Sequence, residues 1–400
     1  MFSSEKTLAP TSPLMNKPTT TAPKGRFGRL RRLLLSDYFV LYLTIIMYVT
    51  AAIILPRLGR PNTLALPGNI ANQFTNIWPL LAVAIGQTFV LIIGGIDLSV
   101  GATMGITSVV GGLFMAQTLD AATFDKSPLW GSLISEQGGI LLTRFASNEN
   151  TVLIGTGVML AIGLLIGFLN GVAITRFRMA PFMVTLVTLT FFSSFALWLT
   201  ASRNVSGLPE DFLRLGNGDI VSVFLGPKLE SQIARREILP FITYPAVISL
   251  GLAFVGQFIL SRTVFGRQMM SIGTNPRTSQ ISGLPSARVV IMVYMFSGFC
   301  AAVASILYSA RIGFGQPSLG GGNILLDIIG AAVIGGTSLF GGKGSVRGTV
   351  LGVAFFVFLA NVLNAMQLSP FIIDAVKGGV ILIAAFLDVT RTRLLTQEQR

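Results

Sequence analysis

Ten apolar stretches run through this chain, and each approaches the length of about 20 residues that a helix needs to cross a bilayer. Charged residues make up only 11% of the chain, against about 25% in soluble globular proteins. The sequence therefore predicts an all-α fold, a polytopic transmembrane helical bundle of about ten spans. Stretches 98–118 and 325–340 have the weakest signal, because they contain several glycines and polar residues. The ten predicted spans are 38–57, 77–95, 98–118, 151–175, 180–201, 239–260, 288–310, 325–340, 348–366 and 371–388.

The distribution of the Lys and Arg residues explains the net charge of +13. If the N-terminus lies in the cytoplasm, the inner segments hold 18 of the 29 basic residues and the outer segments hold ten. This bias follows the positive-inside rule and predicts that both termini are cytoplasmic. The basic residues lie in short segments between apolar runs, not on one face with interleaved aromatics, which argues against nucleic-acid binding.

The chain is expected to have three segments. Residues 1–36 form a disordered, basic cytoplasmic tail that ends in an interfacial segment. Residues 37–390 form the transmembrane domain, and residues 391–400 form a second cytoplasmic tail. The polar loops 119–150 and 202–238 lie on the outer side, where they are either solvated connections or a docking surface for a partner.

The composition excludes several kinds of chemistry. The chain has no histidine, so histidine-dependent catalysis and histidine-ligated metal sites are impossible. Its single cysteine, Cys300, lies in an apolar run and cannot form an intrachain disulfide. The stretch 335–345 looks like a phosphate-binding loop but lacks its first glycine and the Ser or Thr after Lys343. We therefore predict no catalytic residue, no metal site and no cofactor in this chain, so any ATP dependence must come from another subunit.

Two glycine-containing segments with similar sequences lie at the ends of apolar stretches. Residues 92–101 and 333–342 are identical at five of ten positions. Transporters often contain repeats with interrupted helices at corresponding places, although chance similarity is the alternative in so glycine-rich a chain. Asp97 and Ser99 can cap the next helix or line a polar pathway, and both roles can hold together. The candidate pathway residues are Gln87, Asp97, Ser99, Thr337 and Ser338.

The basic segment 261–288 is predicted to lie on the cytoplasmic side. Asn275 and Pro276 can begin a short helix within it, and Gly283 can end that helix. Such a helix suits contact with a cytoplasmic partner, whereas a plain basic loop explains the composition equally well. The candidate contact residues are Asn275, Pro276, Arg277 and Gly283.

Several motifs together resemble the membrane permease of bacterial ABC sugar importers, in the branch that includes the ribose and xylose permeases. The resemblance covers roughly residues 65–390, and its motifs are Gly94–Gly101, Asn170–Gly171, Pro181–Leu186, Asn275–Leu284, Ile334–Gly348 and Val376–Val380. The segment Pro276–Gln280 departs from the family, which commonly has an acid, two alanines and a basic residue there.

The resemblance implies a non-enzymatic subunit that moves a monosaccharide or similar polyol across the bacterial inner (plasma) membrane by alternating access. It implies three protein partners: a cytoplasmic ATP-binding subunit that carries the ATP and Mg²⁺, a periplasmic sugar-binding protein, and a second permease copy or paralogue. Residues 273–284 would be the coupling helix on the ATP-binding subunit. The alternatives are an ion-gradient-driven secondary transporter or channel, and a membrane-embedded enzyme, which the lack of histidine and of clustered carboxylates disfavours.

Overall fold

The computed structural model describes residues 39–145, 150–224 and 238–397, so the predicted basic tail 1–36 lies outside the described residues. Fifteen α-helices, one 3₁₀ helix and a two-stranded sheet make up the described part. In chain order they are α1 Phe39–Arg57, the 3₁₀ helix Thr63–Ala65, α2 Pro67–Ile92, α3 Val100–Met115, α4 Ala121–Phe124, α5 Ile140–Phe145, α6 Thr151–Arg176, α7 Pro181–Leu199, α8 Glu210–Asn217, β1 Asp219–Phe224, β2 Ile238–Thr243, α9 Tyr244–Arg262, α10 Val264–Thr274, α11 Pro276–Ile281, α12 Ser286–Ile312, α13 Asn323–Ile334, α14 Val346–Ala365 and α15 Pro370–Gln397.

Each of the ten predicted spans overlaps one helix. Seven helices in the described part are long and apolar enough to cross a membrane: α1, α2, α6, α7, α9, α12 and α14. Helices α3 and α13, with 16 and 12 residues, are shorter and coincide with the two stretches of weakest signal. Helix α15 carries Asp374 and Lys377 near its start and continues to Gln397. These helices support a polytopic helical membrane protein.

The predicted start of the second span, residue 77, is wrong, because α2 begins at Pro67. Its first turns carry several carboxamides, which lower the hydropathy of the segment. In the folded chain Asn69 and Asn361 of α14 donate hydrogen bonds to each other, each 3.1 Å long. Membrane helices tolerate amides that hydrogen-bond across to a neighbouring helix. This pairing partner is remote in sequence, so hydropathy alone could not reveal it.

The all-α prediction is incomplete, because the predicted outer loop 202–238 contains regular structure. Strands β1 and β2 pair antiparallel at the end of this loop. Helix α8 buries Phe212 completely, in a cluster that includes Met115 and Met159. Strand β2 takes up the first residues of the predicted span 239–260, so the predicted start at residue 239 is wrong and the helix α9 begins at Tyr244. Isoleucine, phenylalanine and threonine suit a strand as well as an apolar helix, so hydropathy does not distinguish the two here.

Helices α2 and α12 lie at the centre of the helical bundle. Every residue of α2 from Leu80 to Ile92 is buried. Helices α6 and α12 approach closely at Gly163 and Gly298, where a Cβ atom on Gly298 would lie 2.0 Å from the Gly163 carbonyl oxygen. Small residues allow such backbone contact between membrane helices. The centre of the bundle therefore consists of buried, closely packed helices.

Candidate functional site

The chain breaks its helical course between α2 and α3, at the first of the two glycine-containing segments. Helix α2 ends at Ile92, and Gly94 adopts a φ of +77° that favours glycine. The Gly95 N–H donates to the Val90 carbonyl oxygen at 3.0 Å, which closes the end of α2. The chain then turns through Asp97 into α3.

Asp97 is 1% exposed and accepts three hydrogen bonds. Its Oδ1 accepts from the backbone N–H of Ser99 at 2.9 Å and from the Ser99 hydroxyl at 2.5 Å. Its Oδ2 accepts from the Ser297 hydroxyl of α12 at 2.8 Å. Ser99 makes no capping bond to α3, because its hydroxyl is engaged with Asp97. The carboxylate thus connects the start of α3 to α12.

This network continues into two further helices. The Asn170 amide of α6 donates to the Ser99 hydroxyl at 2.8 Å. The Thr188 hydroxyl of α7 donates to the Asn170 carbonyl oxygen at 2.6 Å. Four helices therefore meet through one buried polar network, in which Asp97 and Ser99 hold helices together. Ser297 had no signal in the sequence, since serine is common in membrane helix interfaces.

The second glycine-containing segment follows α13 and lies directly against the first. The Gly342 N–H donates to the Ile92 carbonyl oxygen at 2.8 Å. A Cβ atom on Gly341 would lie 2.9 Å from the Gly94 nitrogen. The segments 92–101 and 333–342, which are similar in sequence, are therefore neighbours in space. Each follows the end of an apolar helix, as expected for interrupted helices in corresponding parts of a transporter.

Helix α10 contacts both breaks through Gly273. A Cβ atom on Gly273 would lie 1.9 Å from the Ile92 carbonyl oxygen and 2.5 Å from the Gly342 nitrogen. We call the contact of Gly94, Gly273, Gly341 and Gly342 the glycine junction. At this junction backbone atoms of Gly273 lie directly against backbone atoms of both helix breaks, so no flexible side chain separates them there.

The short helix predicted after Asn275 is confirmed as α11. The Asn275 Oδ1 accepts from the Thr278 N–H at 3.0 Å and caps the helix, and Pro276 occupies its first turn. Gly283 follows the helix with a φ of +76°. The side chain of Arg277 is exposed. Ile281 is 87% exposed at the end of α11. It was not among the predicted contact residues, because a single isoleucine in a polar segment gives no periodic signal.

Three of the buried residues near the centre have polar atoms without hydrogen-bond partners among the described residues. Gln87 is completely buried, and neither its Nε2 nor its Oε1 has a partner. The same holds for the hydroxyls of Thr337 and Tyr294. Ser338, in contrast, accepts from the Phe340 N–H at 3.3 Å. Of the five predicted pathway residues, Asp97, Ser99 and Ser338 are therefore hydrogen-bonded, whereas Gln87 and Thr337 have buried side-chain polar atoms without a partner among the described residues.

A cavity of about 350 Å³ lies beside the first turns of α2, toward the end of that helix opposite the glycine junction. Its lining includes five carboxamides together with Tyr308, Asp327 and Phe356. We call it the amide cavity, and its carboxamides are Asn72, Gln73, Asn76, Asn361 and Asn364. None of the five predicted pathway residues lines it. The amides on α2 follow helical spacing, a signal that was lost because the span was predicted to begin at residue 77.

The family model described as "Branched-chain amino acid transport system / permease component" matches residues 69–385 of this chain. The chain belongs to this permease family. The matched region of the permease includes both helix breaks, the glycine junction, α11 and the amide cavity, whereas α1 lies outside it.

Individual relatives of the permease are similar over most of its length. It is 34% identical over 325 residues to the ribose import permease protein RbsC of Bacillus subtilis, which covers 80% of this chain and 85% of RbsC. It is 29% identical over 367 residues to the xylose transport system permease protein XylH of Haemophilus influenzae, covering 81% and 90%. It is 27% identical over 320 residues to the D-allose transport system permease protein AlsC of Escherichia coli, covering 80% and 83%. No solved structure matches the chain.

Proposed function

We propose that this permease is the membrane-spanning subunit of an ATP-driven importer that moves a monosaccharide or similar polyol across the bacterial inner membrane. The family match and the relatives named for ribose, xylose and allose support this substrate class. The subunit is not an enzyme and carries no cofactor, since the ATP and Mg²⁺ belong to a cytoplasmic ATP-binding subunit. A periplasmic sugar-binding protein delivers the substrate, and a second copy or a paralogue completes the permease. A secondary transporter or channel is not favoured, because these relatives are named as permeases of import and transport systems.

The proposed topology has ten spans with both termini in the cytoplasm. The excess of Lys and Arg residues in the inner segments supports this orientation. Helix α2 then runs from the outer side at Pro67 to the inner side at Ile92. The segment 264–283 and the glycine junction are accordingly cytoplasmic, and the amide cavity is near the outer side.

The glycine junction is the observation that carries the proposed coupling mechanism. Helix α11 presents Arg277 and Ile281 to a cytoplasmic partner, and α10 contacts both helix breaks at Gly273. A partner that binds one position of α10 and α11 more tightly than another shifts the population of permease conformations. Backbone contacts at Gly273 then move the ends of α2 and α13 together, which changes access to the region around Gln87.

The docking role of α11 is tested by co-purification from native membranes in mild detergent. We expect an ATP-binding subunit to co-purify with the wild-type chain and to be lost from Arg277→Glu, Gly283→Trp and Ile281→Asp. Burial of an isoleucine side chain stabilises a contact by about 1.5–3 kcal/mol, so Ile281→Asp should weaken binding by about tenfold or more. Gly283→Trp adds strain of about 1–2 kcal/mol, because its positive φ disfavours a side chain.

The matched control is Ile220→Asp, which places the same substitution at an isoleucine of β1 that is 54% exposed. This variant should retain the ATP-binding subunit. If no ATP-binding subunit co-purifies with the wild-type chain even after cross-linking in membranes, the importer proposal fails. If it co-purifies equally with Ile281→Asp, docking on α11 is refuted.

Gln87→Leu is expected to lower uptake without lowering thermal stability. The amide is completely buried and has no partner among the described residues, so an apolar side chain of similar size removes a desolvation penalty and no hydrogen bond. If Gln87 contacts the substrate, uptake should fall by about tenfold. Substrate uptake in proteoliposomes and the melting temperature in detergent measure the two effects. A lower melting temperature with unchanged uptake would assign Gln87 a structural role instead.

A further inference from the structure

The amide cavity has the chemistry of a site for a neutral polyol. A carboxamide offers two N–H donors and a carbonyl acceptor, and adjacent hydroxyl groups of a sugar need both. The ring of Phe356 and the side chains of Leu80 and Val357 add apolar surface. The volume of about 350 Å³ lies within the range of small-molecule sites.

Some lining groups are fixed by the protein, and others are free to bind. The Asn72 carbonyl oxygen accepts from the Arg311 guanidinium at 2.8 Å, and the Asn361 amide is paired with Asn69. The side chains of Asn76 and Asn364 make no hydrogen bond within the described part of the chain. The fixed amides therefore hold the wall in place, while two amides from opposite helices, α2 and α14, remain available for a ligand.

Asp327 supplies an acceptor that the described residues leave unused. Its Oδ2 accepts from the Lys377 ammonium group at 2.7 Å, whereas its Oδ1 is buried and has no partner in the described part of the protein. Buried polar atoms are almost always hydrogen-bonded, and an exception suggests a ligand or water partner. A sugar hydroxyl donating to Oδ1 would satisfy this acceptor, and Lys377 keeps the carboxylate oriented.

The charges around the cavity are balanced. Asp327 pairs with Lys377, and Asp374 accepts from the Asn323 amide at 2.6 Å near the same helix ends. Arg311 supplies a second positive charge at the rim through its bond to Asn72. Asp327 and Lys377 neutralise each other, and neither Arg311 nor Asp374 is among the residues that line the cavity, so the lining itself offers no free ionic partner to a zwitterionic amino acid. The site therefore favours a neutral ligand.

One face of α2 continues from the amide cavity toward the glycine junction. Asn76, Leu80 and Gln87 are spaced by four and seven residues, so they lie on the same face of this helix. The 11 residues from Asn76 to Gln87 correspond to about 16 Å along the axis. Gln87, with its unpartnered amide, is thus the next polar group along this face.

We propose that the amide cavity is the site where the permease binds its monosaccharide on the outer side, with Asn76, Asn364 and the Oδ1 of Asp327 as direct hydrogen-bonding groups. This inference rests on the proposed import function, in particular on its substrate class and topology.

Thiol labelling tests the site in the complete importer. Cys300, the only cysteine in the sequence, is completely buried. Ala360→Cys therefore introduces a single reactive thiol in the cavity lining without removing a proposed sugar contact. A membrane-impermeant methanethiosulfonate reagent, added from the outer side, should label this variant. D-Ribose, D-xylose, D-allose and L-leucine are added at millimolar concentration as competitors. We expect at least one of the three sugars to slow labelling by about fivefold or more, as a ligand that occupies most of the sites would, and leucine to have no effect.

Transport provides the second measurement and separates the two levels of the proposal. Uptake of the same three sugars is measured in proteoliposomes that contain the permease, its ATP-binding subunit and its binding protein. Asn76→Leu with Asn364→Leu should reduce uptake by about tenfold or more, whereas Asn204→Leu, at an exposed amide outside the cavity, should not. Retained co-purification of the ATP-binding subunit shows that the double variant is folded.

The possible results are distinct. If the wild type imports one of the sugars but that sugar neither slows labelling nor depends on Asn76 and Asn364, the cavity assignment is overturned and the import function stands. If leucine slows labelling and the sugars do not, the neutral-polyol assignment is overturned. If the wild type imports none of the three sugars and none protects the thiol, both the proposed function and this inference are overturned.

Discussion

Gly273→Ala is expected to abolish substrate uptake while leaving the ATP-binding subunit attached. The new Cβ atom would lie 1.9 Å from the Ile92 carbonyl oxygen and 2.5 Å from the Gly342 nitrogen. Both atoms belong to the backbone, so neither can rotate away, and the contact must open. Overpacking of this kind costs about 3 kcal/mol, and relief of the clash separates α10 from the two helix breaks. Since α11 keeps its exposed Arg277 and Ile281, partner binding should persist.

Uptake in proteoliposomes and co-purification of the ATP-binding subunit together measure this uncoupling. The matched control is Gly251→Ala in α9, where a Cβ atom would meet no heavy atom within 4 Å. The control should retain both uptake and complex formation. Wild-type uptake by Gly273→Ala would show that the glycine junction does not transmit the movement of α10.

Asp97→Ala is expected to destabilise the permease strongly. The substitution removes the acceptor of three hydrogen bonds. The donors that lose this acceptor are the Ser99 N–H, the Ser99 hydroxyl and the Ser297 hydroxyl. Hydrogen bonds to a charged group contribute about 1.5–3 kcal/mol each, and buried unsatisfied donors add a penalty. We therefore expect a loss of about 3 kcal/mol or more in the free energy of unfolding. Helices α3, α6, α7 and α12 lose their shared network, so uptake should be lost in parallel.

Asp97→Asn provides a graded comparison. The asparagine retains one carbonyl acceptor for Ser99, and its amide can donate to the Ser297 oxygen after that hydroxyl reverses its role. Its destabilisation should be less than that of Asp97→Ala. Asp125→Ala, at an exposed acid, should leave the melting temperature unchanged. A melting temperature of Asp97→Ala within about 2 °C of the wild type would contradict the anchoring role, since about 1 kcal/mol already shifts a large domain by 2–4 °C.

The Gly273→Ala and Asp97→Ala variants test two different roles at neighbouring places in the fold. The first tests the transmission of movement from α10 to the helix breaks, and the second tests the hydrogen bonds that hold the helices together. Gly273 contacts the breaks from the segment 264–283, whereas Asp97 fixes the start of α3 after the first break. Loss of uptake with an intact complex is expected for Gly273→Ala. Loss of uptake together with thermal stability is expected for Asp97→Ala. Lower uptake with unchanged thermal stability is expected for Gln87→Leu. This third result would distinguish a residue of the substrate pathway from residues that stabilise the fold.

Local physical chemistry was enough to predict several elements from the sequence. The apolar stretches predicted a helix in each of ten places, because a bilayer-spanning helix needs about 20 predominantly apolar residues. The cap at Asn275 and the glycine at residue 283 predicted α11, since both signals act within one turn of the helix. The similar glycine-containing segments suggested interrupted helices, and α2 and α13 do end there, at Ile92 and Ile334, although the predicted spans 77–95 and 325–340 run past these ends. In each case the determining residues are neighbours in the chain.

Contacts between remote residues were decided only by the tertiary structure. The sequence placed the start of the second span at residue 77, whereas α2 begins at Pro67. The reason is that the pairing of Asn69 with Asn361 depends on how α2 packs against α14. The sequence suggested capping or a pathway for Asp97, and only the approach of α12 brought Ser297 to its Oδ2. The amide cavity forms where α2, α12, α13 and α14 meet. The sequence thus determined the helices and their breaks through local interactions, and long-range packing determined which polar groups are satisfied and which remain free to bind.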